Sequence, residues 1–297
     1  MLTSVWVDEL DEARTREIRE LLLAARAADG RPEITDEGPL PFGDGLHLLG
    51  RAGDALVGYA HLDTTGDSFG RQVAELIVHP AYRRRGYGAE LAHTLVGKAD
   101  HNVRVWAHGD RPAAARIAEH EGFHRDRELL VMHTPVREDW AEPRLPEGVT
   151  LRTFVPGSDE RAFIDVNSRA FDWHPEQGSM TVDELLATER DDWFDPDGFF
   201  LTERDGRVIG FHWTKVHPAA PGEFGGKPVG EVYVVGVDPA AQGGGLGKAL
   251  TLAGLRYLRE RGLEQVILYV EGDNAPAIAV YSRLGFTRYN VDVQYAQ

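Results

Sequence analysis

The chain has 297 residues, enough for two domains that each bury a core. Its 42% hydrophobic and 27% charged residues are those of a globular protein, and a net charge of −16 argues against general affinity for nucleic acid or an anionic membrane. It contains no cysteine, which removes disulfides, thiolate metal sites and cysteine nucleophiles. The N-terminus lacks a signal-peptide pattern and no apolar run reaches membrane-spanning length, so a cytoplasmic monomer is expected.

In chain order, residues 3–7 read as a first strand. Residues 11–28 predict an amphipathic helix with Ile18, Leu21, Leu22 and Ala25 on one face. Residues 46–50 and 56–60 read as a hairpin. A linker with two prolines and a glycine spans 138–148. Beyond it the order repeats: a strand over 149–154, then a helix over 159–171 with Phe163, Val166 and Ala170 on one face. A second hairpin, 198–202 with 208–213, turns at Asp205-Gly206, and a buried strand covers 231–237. The domains expected are therefore 1–137 and 149–297.

The repeat extends to a motif. Val78-His79-Pro80-Ala81-Tyr82-Arg83-Arg84-Arg85-Gly86-Tyr87-Gly88 recurs 159 residues later as Val237-Asp238-Pro239-Ala240-Ala241-Gln242-Gly243-Gly244-Gly245-Leu246-Gly247. Each copy reads as a strand, a turn of the form Arg/Gln-x-x-Gly-x-Gly and a helix. Backbone N–H groups at the helix start lack intrahelical partners, the glycines permit close approach, and helix polarity adds positive potential, so the turn suits a pyrophosphate. A second block follows each turn, and Trp106 to Gly122 spans 16 residues, as does Tyr269 to Gly285. The dinucleotide fingerprint fits poorly, because Leu91 and Leu250 stand where its third small residue belongs, and neither copy has a P-loop ending.

On these motifs the chain resembles the GNAT acetyltransferases, once per half. The resemblance implies a mixed α/β (α+β) fold of two tandem GNAT domains, each a mostly antiparallel sheet flanked by helices. It also implies acetyl-CoA as co-substrate. Runs 173–178, 193–198, 211–218 and 230–242 are similar to the tandem-domain mycothiol synthases. That likeness implies transfer of acetyl to the cysteinyl amine of desacetylmycothiol (Cys-GlcN-Ins).

Acetyl transfer to an amine needs a base, stabilisation of the oxyanion, and a proton for the departing thiolate. Glu231 begins the buried strand and is the candidate base, and Gly236 is expected to permit a bulge that frees backbone N–H groups. The resemblance makes Tyr281 the acid. It assigns acetyl-CoA to Val235, Gly236, Val237, Gln242, Gly243, Gly244, Gly245, Leu246, Gly247, Lys248 and Asn274. In the first half it assigns Leu76, Ile77, Val78, Arg84, Arg85, Gly86, Tyr87, Gly88 and Ala89. Glu37, Glu176, Lys215, Glu231 and Tyr269 are its substrate contacts.

Aligning the halves puts Gln72 opposite Glu231 and Ala118 opposite Tyr281, while Glu75, offset by three, is expected on the other strand face. The second domain is therefore expected to catalyse, and the first to keep a scaffold able to bind CoA. Arg83, Arg84 and Arg85 are expected to face phosphate. No histidine shows metal-ligand spacing, so no metal is expected, and His101 and His108 are expected at the surface. Direct transfer without an acetyl-enzyme is expected. Two rivals stay open: an acetyltransferase for another small amine or a peptide N-terminus, and a non-catalytic acyl-CoA-binding module.

Overall fold

The computed structural model describes residues 2–30, 34, 38–67, 69–100, 102–174, 177–219 and 224–297. The first predicted helix forms as α1 (Glu12–Asp29), capped by the Asp11 side chain, which accepts from Arg14 N at 2.8 Å. It buries the four residues expected, Ile18, Leu21, Leu22 and Ala25. Around α1 the first unit carries β1 (Thr3–Val7), β2 (Leu46–Ala52), β3 (Ala55–Asp63) and β4 (Val73–Val78). Then come α2 (Tyr87–Val96), β5 (Arg104–Ala107), α3 (Pro112–His120) and β6 (His124–Pro135).

The second half of the sequence opens with β7 (Thr150–Thr153), α4 (Glu160–Ala170), α5 (Val182–Thr188), β8 (Phe199–Arg204) and β9 (Arg207–His217). It continues through β10 (Val229–Val237), α6 (Leu246–Glu260), β11 (Gln265–Glu271), α7 (Ala275–Arg283) and β12 (Thr287–Ala296). Asp205 and Gly206 both take positive φ, 53° and 72°, as the predicted tight hairpin turn between β8 and β9 requires.

The chain divides into two compact units. The first comprises 1–130 with 271–273 and 290–297, and the second 131–270 with 274–289. In the first, the sheet runs β1-β2-β3-β4-β5-β12, antiparallel except for β4 with β5, and Val293–Ala296 of β12 pair with β5. Ile18, Leu21 and Leu22 of α1 pack on Leu49 and Tyr59, while Leu91 and Leu95 of α2 pack on Leu48, Ala60 and Leu62. Residues alternate across each strand, so the two helices cover opposite sheet faces.

In the second unit the order β7-β8-β9-β10-β11-β6 repeats the plan, with β10 and β11 parallel. Phe163 and Val166 of α4 pack with Phe199, Phe211 and Trp213, and Leu246 and Leu250 of α6 pack with Val149 and Ile209. Ala170 is only half-buried, whereas Asn167 is buried, and its Nδ2 donates to Gln177 O at 2.7 Å. Within 138–148, Trp140 is buried and donates from Nε1 to Leu284 O at 3.1 Å. Among the described residues no helix is long and apolar enough to cross a membrane.

Candidate active site

In each half the parallel strand pair parts partway along. β4 pairs with β5 from Val73/Arg104 to Glu75/Trp106, and the paired register ends there. β10 pairs with β11 from Gly230/Val266 to Val232/Leu268 and no further. Leu76, Ile77 and Val78, and likewise Val235, Gly236 and Val237, keep register with the antiparallel neighbour only. Their other edge opens on the gap between the parting strands, where backbone donors are available to a carbonyl oxygen.

The turn motifs lie at the mouths of these gaps. Gly86 and Gly245 are the N-cap residues of α2 and α6, with φ of 86° and 82°, in the left-handed region that favours glycine. Neither helix start has a side-chain cap, in contrast to α1, α5 and α7, which Asp11, Thr181 and Asn274 cap. The first-turn N–H groups at Tyr87 and Gly88 of α2 and at Gly247 and Lys248 of α6 are therefore left as anion donors, whereas Ala89 N donates to Gly86 O at 3.0 Å and Leu246 N to Gly243 O at 3.4 Å. Arg84 takes φ 67° where the second copy has Gly243 at φ 93°, but the turns differ at the next residue, where Gly244 takes φ 58° and Arg85 has no positive φ. Gln242 Nε2 donates weakly to Val237 O at 3.5 Å, and Gly244 sits near Pro146. Asn274 Oδ1 accepts from Ala277 N at 3.2 Å, so this oxygen serves the helix cap.

The first turn borders a cavity of about 850 Å³ that reaches from Leu76 and Val78 to Arg84, Arg111 and Arg116. Arg84, which lines it, and the neighbouring Arg85 are both exposed. Arg83 departs from the expectation: its guanidinium forks onto Asp29 at 2.9 and 2.5 Å, and Nε donates to Val78 O at 3.0 Å. It ties the turn to α1 instead of facing phosphate.

Glu231 lies on β10, only 5% exposed, directly across from Lys215 on β9. Its Oε2 meets His217 Nε2 at 2.6 Å, a charge-assisted length. His217 is the site residue that the sequence reading missed. It stands two residues beyond Lys215 on the same strand, so strand alternation could have found it. The Lys215 ammonium sits 4.4 Å from the Trp193 ring centre and 5.3 Å from that of Tyr233, a cation held over two aromatic faces. Burial, with the nearby charges of Glu231 and Asp191, raises the Tyr233 hydroxyl above its ordinary pKa. Tyr269 follows the last register pair of β11 and shares the face of Glu231, because Ile267 is the partner of Glu231.

Tyr281 lies on α7, packed against Phe286 at 5.9 Å, and burial pushes its pKa up to about 12. The run Phe211-His212-Trp213-Thr214 is packing, not a binding surface, for all four are buried. His212 Nδ1 meets Leu250 O at 2.7 Å, and burial lowers its pKa to about 4. Glu37, Glu176 and His101 lie outside the described residues.

Besides Arg83, three expectations need correction. The bulge falls not at Gly236 but between Val232 and Val234, with Tyr233 the extra residue. Gly236 is needed for another reason: a Cβ there would meet Phe211 Cε1 at 2.4 Å and Phe171 Cε2 at 3.1 Å. The displaced bulge also overturns the facing of Glu75. Because Tyr233 is extra, Glu231, Val234 and Gly236 all oppose one face of β9, through Lys215, Trp213 and Phe211. β4 has no bulge, so Glu75, aligned with Val234, lies on the face equivalent to that of Glu231.

The third correction concerns His108, which is not a surface residue. Its side chain is 25% exposed, with Nε2 3.0 Å from Glu75 and Nδ1 3.3 Å from Asp292. Burial opposes its charge, but the bonds to Asp292 and Glu75 outweigh that and push its pKa up to about 9. Gln72, aligned with Glu231, is occupied otherwise: its Oε1 accepts from Asp100 N at 2.8 Å. Among the described residues no cluster of histidine and carboxylate side chains could hold a metal ion.

Comparison with known proteins agrees with this geometry. The sequence model of the acetyltransferase (GNAT) family matches residues 12–123 and 167–286, once per half. A mycothiol acetyltransferase of Saccharomonospora viridis is 65% identical, over 100% of this chain and 99% of its own length. One from Amycolatopsis mediterranei is 63% identical over 98% of each. Among solved structures, a GCN5-related N-acetyltransferase from Sphaerobacter thermophilus superposes with a TM-score of 0.68 at 25% identity, covering 98% of this chain and 94% of its own. A tandem GNAT protein of the clavulanic acid pathway shares the fold, with a TM-score of 0.67 at 23% identity over 99% and 98% of the two chains. Fold, duplicated turn and these likenesses together show that the chain belongs to the GNAT acetyltransferases, as a tandem-domain member of the mycothiol acetyltransferase family.

Proposed function

We propose that the chain transfers acetyl from acetyl-CoA to the cysteinyl amine of desacetylmycothiol, with chemistry in the half 149–297. The half 1–137, joined through 138–148, serves as a non-catalytic scaffold that binds CoA. The observation that carries this reading is the buried Glu231 bonded to His217, in the half that also keeps Tyr281 and an uncapped glycine turn. A carboxylate held in one orientation by an imidazole N–H is ready to take a proton directly or through one water.

In this reading Glu231 accepts a proton from the substrate ammonium, and the freed amine nitrogen attacks the thioester carbon. Backbone N–H groups along Val235–Val237 stabilise the oxyanion as the N–C bond forms. The C–S bond then breaks, Tyr281 gives its proton to the departing thiolate, and the second proton that the nitrogen loses as the amide forms restores the tyrosine. A tyrosine pushed up to about 12 keeps that proton at neutral pH. Gln242–Lys248 and Asn274 hold the CoA phosphates and pantetheine. Lys215, Tyr269 and Glu176 hold the sugar-inositol acceptor, and the protein works as a cytoplasmic monomer. Ala118 in the place of Tyr281 and the engaged Gln72 support a first half without this chemistry, although its Glu75 faces the same way as Glu231.

The deciding assay measures free thiol released from acetyl-CoA by the purified chain, with desacetylmycothiol set against glucosamine, peptide N-termini and aminoglycosides. Preference for one of the other amines refutes the substrate assignment. Binding of acetyl-CoA without acetylation of any of them refutes the reading as an enzyme.

A further inference from the structure

The replacement of Tyr281 by Ala118 in the first half leaves space. Ala118 lines an apolar chamber of about 110 Å³ beside α3, together with Phe123 and four residues that also line the large cavity: Leu76, Ala107, Ala114 and Ile117. Leu76 and Ala107 are the first residues beyond the last β4–β5 register pair, Glu75/Trp106, so the chamber adjoins the apex of the strand gap. In the second half the aligned ring of Tyr281 is packed on Phe286. The chamber holds about three to four groups of the size of a water molecule or a methylene.

We infer that the first half binds acyl-CoA thioesters with acyl chains longer than acetyl, the chain lying in the chamber that Ala118 leaves open. This rests on the reading of the first turn as a CoA site. The groups around the chamber fit the assignment: an aliphatic chain finds mostly apolar walls, and the arginines line the large cavity and not the chamber. Each methylene moved from water into such a chamber tightens binding about fourfold. Butyryl carries two more than acetyl, so a preference on the order of tenfold is expected.

The test is calorimetric titration of the full chain carrying Gly247→Glu, which sets a carboxylate in the second turn and leaves the first as the CoA site. A Cβ at Gly247 meets only Val237 Cγ2, at 3.9 Å, so the change is sterically mild. If that variant melts early, Lys248→Glu replaces it. CoA, acetyl-CoA and butyryl-CoA are each titrated, with one equivalent bound and butyryl-CoA tightest. Adding Ala118→Tyr, or Ala118→Leu if tyrosine unfolds the protein, should erase the preference and leave CoA binding within about twofold. Equal affinity for acetyl-CoA and butyryl-CoA, with CoA bound, overturns the inference and leaves the CoA site standing. A preference that survives the filled chamber also overturns it. A folded Gly247→Glu chain that binds no CoA overturns both.

Discussion

Replacing Glu231 by glutamine separates its chemical role from its structural one. The substitution keeps size and leaves an amide oxygen that can still accept from His217 Nε2, now at 2.6 Å from Glu231. The side chain is 5% exposed, so the retained bond should hold the fold to within about 1 kcal/mol of the wild type. Loss of a positioned general base costs about 10²–10⁴ in rate, or about 3–5 kcal/mol at the transition state. The assay is steady-state thiol release from acetyl-CoA with desacetylmycothiol, alongside a thermal melt. The expected outcome is a kcat lower by at least about 100-fold with KM for acetyl-CoA unchanged. His217→Leu should then lower kcat by about 10–30-fold, from a charge-assisted bond of about 1.5–2 kcal/mol, whereas His217→Gln recovers most of it. Turnover of Glu231→Gln within threefold of wild type would refute the assignment of the base, whatever His217 does.

Other consequences are equally direct. Tyr281→Phe should lower kcat at least about tenfold and leave binding of acetyl-CoA intact, and unchanged kcat would exclude the tyrosine as acid. Gly236→Ala should destabilise by about 1–3 kcal/mol through overpacking on the fully buried Phe211, seen as a fall in Tm of about 3–10 °C, and Phe211→Leu in the same chain should restore most of it. His108 should make stability pH-dependent, because its folded pKa of about 9 lies above the unfolded value of about 6.5. Its contribution, about 2–3 kcal/mol, is therefore complete below pH ~6.5 and fades as pH rises through ~9. Urea midpoints of wild type and His108→Gln should differ most at pH ~6 and converge above pH ~9.5, and parallel curves would exclude the ion pairs as the cause.

Much of this protein is legible from local pattern. The duplicated strand-turn-helix motif, both hairpins, the buried face of α1 and the repeat of the whole order depend on residues close in sequence, whose spacing mirrors backbone geometry. Even His217 was within reach, since strand alternation puts it beside Lys215. Glu231 could be singled out because a carboxylate at the start of an otherwise apolar strand has few ordinary explanations.

Other features depend on contacts that spacing does not encode. A bulge adds one residue to a strand without a signature as clear as a glycine, and that single residue decides which face every later side chain takes. It moved the extra position to Tyr233 and turned Glu75 to the face that parity had denied it. His108 looks like a solvated histidine until β12 brings Asp292 to it from the far end of the chain. The chamber beside Ala118 is visible in sequence only as a missing tyrosine; packing decides whether such a gap collapses or stays open. The sequence by itself determined the family, the duplication and the half that keeps both carboxylate and tyrosine, because those are local motifs. Tertiary structure alone decided strand facing, the partners of buried charges and the shapes of the cavities, because each is set by residues that meet only when the chain is folded.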